Sequence, residues 1–237
     1  MTPTILITRP APRGMEFSRD VRQILDVPVI ISPLMQIGPV KADLDLSGLG
    51  ALIFTSRHAV TAFAMRTDRR DLPCFAVGPA TACTAREADL DVTEAGGDAN
   101  ALIARIIESG CPGPFLHLRG EHISRSLIAP LARSALTCRE QIVYRQTPVT
   151  MGDAAKNLLQ RENPVIIPLF SCRSAALFFS GLKAKAPIYV AAISDNVAAR
   201  VPAHMVKSVV IAEAPNAEAM LALLPGLVIA AQNPRVD

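Results

Sequence analysis

The sequence predicts an α/β protein built from two similar, doubly wound parallel-sheet domains. Short runs rich in Ile, Val, Leu and Phe alternate with stretches of helical periodicity along the 237 residues. This pattern is typical of parallel sheets covered by helices on both faces. A repeat of three strand–helix units relates the middle of the chain to its C-terminal part. Two proline-containing segments interrupt the alternation and indicate where one domain gives way to the other.

Ten segments are predicted to be strands, because each is a short apolar run bounded by polar or turn-forming residues. Helices are predicted in most of the gaps between them. The strands are expected at residues 4–8, 27–31, 51–54, 74–77, 91–94, 115–118, 140–144, 165–170, 188–193 and 208–211.

Segments 33–39 and 145–150 are predicted to be linkers. Each follows a predicted strand and contains proline. Proline fixes φ and restricts the residue before it, which opposes the start of a helix. The chain is therefore expected to cross between domains at these two places, with a cleft at the crossing.

The internal repeat predicts how the domains are assembled. Residues 54–63 (FTSRHAVTAF) resemble residues 170–179 (FSCRSAALFF), 116 positions later, and 76–82 (AVGPATA) resemble 192–198 (AISDNVA) at the same offset. A third match relates Asn100-Ala-Leu to Glu218-Ala-Met. Three successive strand–helix units therefore recur in the same order.

The central copy continues through two more predicted strands, whereas the C-terminal copy reaches the end of the chain. The predicted strands at the N-terminus belong to neither copy of the repeat, so they are expected to complete the C-terminal copy. This predicts a discontinuous domain of residues 1–34 plus 147–237 and a continuous domain of residues 38–144. Both are expected to be flavodoxin-like and to be joined by two crossing strands, with linkers at about 33–39 and 145–150.

Composition excludes several classes of protein. Half of the residues are apolar and the net charge is only +3, which excludes a disordered chain. Because there is no Trp, only two Tyr and no run of basic residues, nucleic-acid binding is not expected. The longest apolar tract, 219–231, is shorter than the about 20 residues of a membrane span, and no signal peptide is recognisable. A cytoplasmic location without membrane contact is expected.

Familiar cofactor and nucleophile motifs are missing from the sequence. The five cysteines are widely spaced without a C-x-x-C pair, and the four histidines complete no ligand set, so neither a disulfide framework nor a metal site is expected. G-x-G-x-x-G, G-x-x-x-x-G-K-[ST] and G-x-S-x-G are also missing. We therefore expect no metal and no cofactor.

Hydroxyl residues follow three of the predicted strands, where open α/β sheets bind ligands and helix N-termini favour anions. Thr55 and Ser56 follow strand 51–54, Thr81 follows strand 74–77, and Ser171 follows strand 165–170. Helix capping is the simpler interpretation of any one of them. Their occurrence at repeat-equivalent turns favours an anion site for the group.

Arginines also follow strand ends or begin the next helix, and guanidinium groups bind carboxylates with two hydrogen bonds. Scattered surface arginines are the alternative interpretation, and substrate contact is favoured most for Arg9 and Arg173. Tyr144 is predicted to end the strand that leads into the second crossing, where either a functional hydroxyl or a packing role fits. The arginines concerned are Arg9, Arg57, Arg119, Arg125 and Arg173.

Several short motifs, in this order and spacing over most of the chain, resemble the uroporphyrinogen-III synthase family of tetrapyrrole biosynthesis. Each motif is short and unspecific alone, and together they are distinctive. They are residues 5–10 (ILITRP), 54–60 (FTSRHAV), 76–82 (AVGPATA), Gly96 with Ala101-Leu102, 118–120 (LRG) with Arg125, 143–145 (VYR) with Pro148, and 214–216 (APN).

The resemblance implies a cofactor-free carbon–oxygen lyase with two α/β domains. Its substrate would be hydroxymethylbilane, a linear tetrapyrrole polycarboxylate that loses water, inverts ring D through a spiro intermediate and closes to uroporphyrinogen III. Such an enzyme must mainly hold the chain ends in one geometry, a contribution that needs no strong nucleophile. We expect a monomer whose further contact is a transient one with hydroxymethylbilane synthase.

By position, the resemblance implies that Tyr144 assists departure of the hydroxyl and that Thr55, Ser56, Thr81 and Ser171 line the substrate site. The second repeat departs from the family pattern. Cys172 stands where a proline is usual, and Val197 stands where a threonine is usual. Ser194 or Asn196 is then the candidate to replace the missing hydroxyl.

Two other functions compete with this one. A catalytically silent, two-lobed small-molecule binding or sensor protein would have the same architecture, since hinged α/β pairs close around ligands without chemistry. A two-domain glycosyltransferase would need a sugar-nucleotide site, for which neither a carboxylate-rich motif nor a phosphate loop is present.

Overall fold

The computed structural model describes residues 1–41, 43–122 and 125–233. Within them the chain forms eleven strands and nine α-helices, with a short 3-10 helix at Ala203–Met205. The strands are β1 (Thr4–Ile7), β2 (Val29–Ile31), β3 (Met35–Pro39), β4 (Ala51–Phe54), β5 (Cys74–Ala76), β6 (Val92–Glu94), β7 (Phe115–Gly120), β8 (Cys138–Pro148), β9 (Val165–Leu169), β10 (Ile188–Ala192) and β11 (Ser208–Ile211). The helices are α1 (Arg13–Ile24), α2 (Arg57–Ala64), α3 (Pro79–Glu87), α4 (Ala99–Glu108), α5 (Ile128–Ala132), α6 (Asp153–Leu159), α7 (Cys172–Phe179), α8 (Asp195–Ala198) and α9 (Ala217–Gln232).

All ten predicted strands are present, and the main difference lies at the predicted linkers. Residues 33–39 contain strand β3, and β8 continues through most of 145–150 to Pro148. Proline excludes a helix there but is compatible with a strand end, where its missing N–H disrupts no ladder. Pro39 and Pro148 are the last residues of their strands, and β3 is an edge strand. Both predicted linkers are therefore largely extended strand.

The two sheets have the same topology after circular permutation. One sheet has the order β2-β1-β9-β10-β11, and the other has the order β8-β7-β4-β5-β6 with β3 added beside β8. The five strands of the first sheet therefore correspond one to one with β8, β7, β4, β5 and β6. Numbered in chain order, the first sheet has the flavodoxin-like order 2-1-3-4-5, and the permuted second sheet has the related doubly wound order 3-2-1-4-5. Strands β1 and β2 stand where β7 and β8 stand in the other sheet. The N-terminal strands β1 and β2 thus lie in one sheet with β9, β10 and β11.

The chain divides into two compact units. One consists of Met1–Gln36 together with the chain from Thr147 onward, and the other is Ile37–Gln146. The changes from one unit to the other fall inside β3 and β8. The predicted domains were residues 1–34 plus 147–237 and residues 38–144, of which residues 234–237 lie outside the described part of the chain.

Side-chain alternation distributes each apolar strand between two cores. In β1, Leu6 packs with α6 and α7, whereas Ile5 and Ile7 pack with α1 and α9. In β7, Leu116 and Leu118 face α2, and Phe115 faces α4 and α5. Because helices cover both faces of each sheet, the strands are continuous apolar runs in the sequence. In the described residues, no helix has both the length and the apolar character needed to cross a membrane.

A close backbone approach supports the start of β4. The Gly50 N–H donates to the Pro114 carbonyl at 2.9 Å, and a Cβ at Gly50 would lie 2.6 Å from the Gly113 carbonyl oxygen. A side chain at this position would therefore push two backbone segments apart.

We predict that Gly50→Ala lowers the free energy of unfolding by about 1–3 kcal/mol, because the added methyl has no room. Gly38→Ala is the matched control, since a Cβ at Gly38 has no neighbour within 4 Å. It should change stability by less than about 0.5 kcal/mol. Urea unfolding measures both, and an unaltered midpoint for Gly50→Ala would contradict the packing described.

Candidate active site

Each sheet has a topological switch point, between β4 and β7 in one and between β1 and β9 in the other. Ligands of open α/β sheets bind beyond the carboxyl ends of the strands at such points. Most of the predicted site residues follow these strands directly. They are Thr55, Ser56 and Arg57 after β4, Arg9 after β1, and Ser171, Cys172 and Arg173 after β9.

Ser56 caps helix α2 and also bonds to Tyr144. Its backbone is extended and its Oγ accepts the His58 N–H at 3.1 Å. The Tyr144 hydroxyl donates to the same Oγ, also at 3.1 Å. A serine hydroxyl has two acceptor positions and one hydrogen. These two bonds occupy both acceptor positions, and neither of them uses the Ser56 hydrogen.

Tyr144 lies inside strand β8, not at the end of a strand as predicted, because β8 continues to Pro148. Only 8% of its surface is exposed, and its ring packs on Gly120. A Cβ at residue 120 would lie 2.6 Å from Cζ of the tyrosine. Glycine at this position is what allows the ring to lie against β7 with its hydroxyl at Ser56.

Thr55, next to Ser56, makes a different contact. Its Oγ1 lies 3.0 Å from Nε2 of His117 on β7. The His117 side chain is 1% exposed, between strand β4 and strand β8. The two adjacent hydroxyls thus belong to two separate hydrogen-bond systems.

A buried carboxylate stands behind His117. Arg119 Nε donates to Glu140 Oε2 at 2.8 Å, and the Ser126 hydroxyl and the Leu127 N–H donate to Oε1 at 2.7 and 3.3 Å. Nδ1 of His117 lies 3.5 Å from Oε1, beyond the distance of a good hydrogen bond but within electrostatic range. Arg119, predicted as a weaker substrate candidate, is therefore engaged by Glu140.

The pKa values in this cluster follow from burial and hydrogen bonding. Burial alone would raise the pKa of Glu140, but the hydrogen bonds from Ser126 and Leu127 and the Arg119 charge lower it below its ordinary value. Burial lowers the pKa of His117, although the Glu140 carboxylate opposes this. At neutral pH, Glu140 is ionised and the imidazole is uncharged.

Sequence reasoning missed the roles of His117 and Glu140. It considered His117 only as a metal ligand and did not single out Glu140. A histidine between two leucines in an apolar strand was the available signal, because a buried polar group needs a partner. In the described residues, no group of three His, Cys, Asp or Glu side chains forms a cluster that could hold a metal ion.

In the other unit, Arg9 lies over the ring of Phe170, with its guanidinium carbon 3.9 Å from the ring centroid. Burial, and secondarily the charge of Arg13, lower the pKa of Arg9 to about 10. The side chain therefore stays a cation at neutral pH and is held by a cation–π contact at the carboxyl end of β1.

Ser171 caps α7. Its Oγ accepts the Ser174 N–H at 3.0 Å and its hydrogen goes to the Ser174 hydroxyl at 2.9 Å. The Cys172 thiol donates to the Asn196 carbonyl at 3.3 Å, which connects the turns after β9 and β10. These bonds match the capping interpretation of Ser171. The first N–H groups of α7 therefore lie next to the Ser171 side chain.

The remaining predicted residues lie on neighbouring turns. Thr81 is the third residue of α3 and is 6% exposed. Ser194 stands at the N-cap of α8 without a side-chain capping bond. The Arg125 guanidinium donates from Nη1 to Asn100 Oδ1 at 2.6 Å and therefore contacts the first turn of α4.

Comparisons with known proteins agree with this architecture. The model of the HEM4 family, described as uroporphyrinogen-III synthase HemD, matches residues 20–222. The chain is similar to the crystal structure of uroporphyrinogen-III synthetase from Helicobacter pylori 26695, with a TM-score of 0.68, 20% identity, and coverage of 95% of this chain and 99% of that one. A mutant uroporphyrinogen III synthase from the extremely thermophilic bacterium Thermus thermophilus aligns at 14% identity and a TM-score of 0.48, covering 98% and 99%. No curated protein matches the sequence.

The similarity to the Helicobacter structure supports the fold. The family match extends over most of the chain and includes β4, β7 and β9, whereas β1 precedes the matched residues. The chain belongs to the uroporphyrinogen-III synthase family.

Proposed function

We propose that this chain is a uroporphyrinogen-III synthase, a cyclising lyase that converts hydroxymethylbilane into uroporphyrinogen III and water. The family match over residues 20–222 carries the proposal. It favours an enzyme over the alternative of a silent binding or sensor protein. The atoms of the reaction balance as follows. The terminal carbon loses hydroxide, and ring closure releases a proton when the attacked pyrrole regains aromaticity. The hydroxide and the proton together make the released water.

The carboxyl ends of β4 and β9 suit a polycarboxylate substrate. Helices α2 and α7 begin there, and their first N–H groups and positive dipole ends favour anions by ~0.3–1 kcal/mol per contact. The Arg9 cation adds a donor of the right polarity. Each such contact restricts the conformations of the flexible tetrapyrrole, and holding it in one geometry is the main requirement of the reaction.

The Ser56–Tyr144 pair is the proposed proton donor to the departing hydroxyl. Ser56 gives its hydrogen to the leaving oxygen, and Tyr144, already donating to Ser56 Oγ, replaces it. The proton released on ring closure restores the phenol. A positioned acid of this kind contributes ~10²–10⁴ in rate.

We further propose that the enzyme works in the cytoplasm as a monomer without a cofactor. A transient contact with hydroxymethylbilane synthase would deliver the substrate before it closes spontaneously to the unwanted isomer.

Incubation with freshly generated hydroxymethylbilane tests the function. Oxidation of the products and chromatographic resolution of the isomers should show mostly isomer III with the protein and isomer I without it. Isomer I alone, from folded protein, would contradict the proposed activity and favour the binding protein.

Tyr144→Phe should lower the rate of isomer III formation ~10²-fold or more, because it removes the hydroxyl that supplies Ser56. It should lower the free energy of unfolding by only about 1 kcal/mol, since the ring and its packing remain. Tyr189→Phe is the matched control, because Tyr189 is the other tyrosine and is buried near the amino end of β10, whereas the candidate site residues follow the carboxyl ends of strands. Single-turnover kinetics measures both.

Ser56→Ala should lower the rate of isomer III formation by a similar factor. The double variant with Ser56→Ala and Tyr144→Phe should be only slightly slower than either single variant. Such non-additivity is expected of residues that act as one unit. Near-normal isomer III formation by folded Tyr144→Phe protein would assign the tyrosine to packing.

Thr81→Ala should reduce kcat/KM modestly without abolishing activity, because other carboxylate contacts remain and one hydrogen bond to a charge contributes ~1.5–3 kcal/mol. Ser171→Ala should also reduce kcat/KM modestly, because Ser171 fixes the start of α7, whose first N–H groups are the proposed anion donors. Ser171→Ala should also lose about 1 kcal/mol of stability through the α7 cap. Asp98→Ala removes the α4 cap instead, so it controls for capping alone. Complete loss of isomer III in either hydroxyl variant would show a central catalyst in place of distributed binding.

A further inference from the structure

The hydrogen bond between Thr55 and His117 decides what Thr55 offers to a ligand. Thr55 Oγ1 and His117 Nε2 are 3.0 Å apart. A threonine hydroxyl carries one hydrogen, and a neutral imidazole carries one N–H. If Nε2 accepts, the Thr55 hydrogen points into the protein and cannot reach a substrate carboxylate. If Nε2 donates, the Thr55 hydrogen is released.

The surroundings of Nδ1 select between these arrangements. Nδ1 is buried and has no hydrogen-bond partner among the described residues, and its nearest polar atom of opposite charge is Glu140 Oε1 at 3.5 Å. A bare Nδ1 lone pair would face a carboxylate, which is repulsive. The neutral ring therefore carries its proton on Nδ1, and Nε2 accepts from Thr55.

The charged groups around His117 keep this arrangement in place. Arg119 on β7 is bound to Glu140, and Glu140 on β8 faces the ring. Cys138, also on β8, is an uncharged thiol because burial raises its pKa to about 11. Glu140 is thus a negative charge that faces the imidazole and favours a second proton there, whereas the Arg119 charge opposes it.

We propose that His117 is a positioning residue that takes up a proton when a substrate carboxylate binds at Thr55. The imidazolium donates Nδ1–H toward Glu140 and Nε2–H to Thr55, and the Thr55 hydrogen turns to the carboxylate. A change of tautomer without proton uptake would leave the Nδ1 lone pair against Glu140. The inference rests on the proposed function only for the class of ligand, a polycarboxylate tetrapyrrole.

The sign of the resulting pH dependence follows from linkage. Burial lowers the pKa of His117 in the free protein, and the bound carboxylate raises it. Affinity is highest below the free-state pKa and falls by about tenfold per pH unit between the free-state and bound-state values. Across that interval, binding takes up about one proton.

Calorimetry in buffers of different ionisation enthalpy counts that proton, with uroporphyrin III as a stable octacarboxylate probe. The wild-type protein should take up about one proton more than His117→Gln, because the glutamine amide donates to Thr55 at every pH. Subtracting the proton uptake of His117→Gln from that of the wild type removes the contribution from ionisation of the probe's own carboxyl groups. His204→Gln, at an exposed histidine, should behave like the wild type. Equal uptake in all three proteins, or no binding of the probe, would overturn the inference.

Nitrogen NMR of the imidazoles tests it in the wild-type protein, so folding of a buried variant is not required. Free His117 should show the Nδ1–H tautomer, and probe-bound His117 should show both nitrogens protonated. An Nε2–H tautomer in the free protein, or an uncharged ring in the complex, would overturn the inference.

Thr55 variants separate this role from simple packing. Thr55→Ser should keep the proton uptake, and Thr55→Val should lose it. Uptake that persists in Thr55→Val would assign the proton to another contact. Protein that forms isomer III without extra proton uptake would refute the His117 inference alone, whereas uptake without isomer III would refute the proposed function alone.

Discussion

Parallel pairing between strands that are distant in the chain positions the candidate site. β1 pairs with β9 in register, Ile5 opposite Ile166, although the two strands are separated by the whole of the other unit. Arg9 and Phe170 follow these strands and therefore meet in a cation–π contact. Without that pairing, the cation and the α7 N-terminus would have no fixed relation to each other.

The same constraint acts on β4, β7 and β8 in the other unit. The carboxyl ends of β4 and β7 lie on one edge, so Thr55 and Ser56 lie beside the end of β7 and the interior of the longer strand β8. Thr55 bonds to His117 on β7, and Ser56 bonds to Tyr144 on β8. One hydroxyl bonds to an imidazole and the other to a phenol, so the two neighbouring residues differ in their hydrogen-bond partners.

Local pattern and the internal repeat predicted most of the fold. The runs that form β4 and β9 were recognisable because both faces of each strand are covered, and the repeat implied the permuted order of the sheets. Strand β3 was not predicted, because prolines near its ends argue against a regular element when only the local sequence is considered. An edge strand tolerates them, and that depends on its neighbour β8, which is about a hundred positions away in the chain.

The site was predictable at the level of turns and not of hydrogen bonds. Ser56 and Ser171 follow strands and precede helices, which local sequence indicates, and both cap their helices. The bond from Thr55 to His117 depends on strand register, and the state of His117 depends on Glu140 from a further strand. Partners of this kind are set by tertiary structure, so a single sequence does not identify them.

Amide chemical-shift mapping of the labelled protein with uroporphyrinogen III, under anaerobic conditions, tests the central claim most directly. The claim is that substrate carboxylates bind at the carboxyl ends of β4 and β9. The account predicts the largest shifts at Thr55 to Arg57 and at Ser171 to Arg173. Shifts confined to the opposite edges of the sheets, around Gly50 and Pro164, would contradict it.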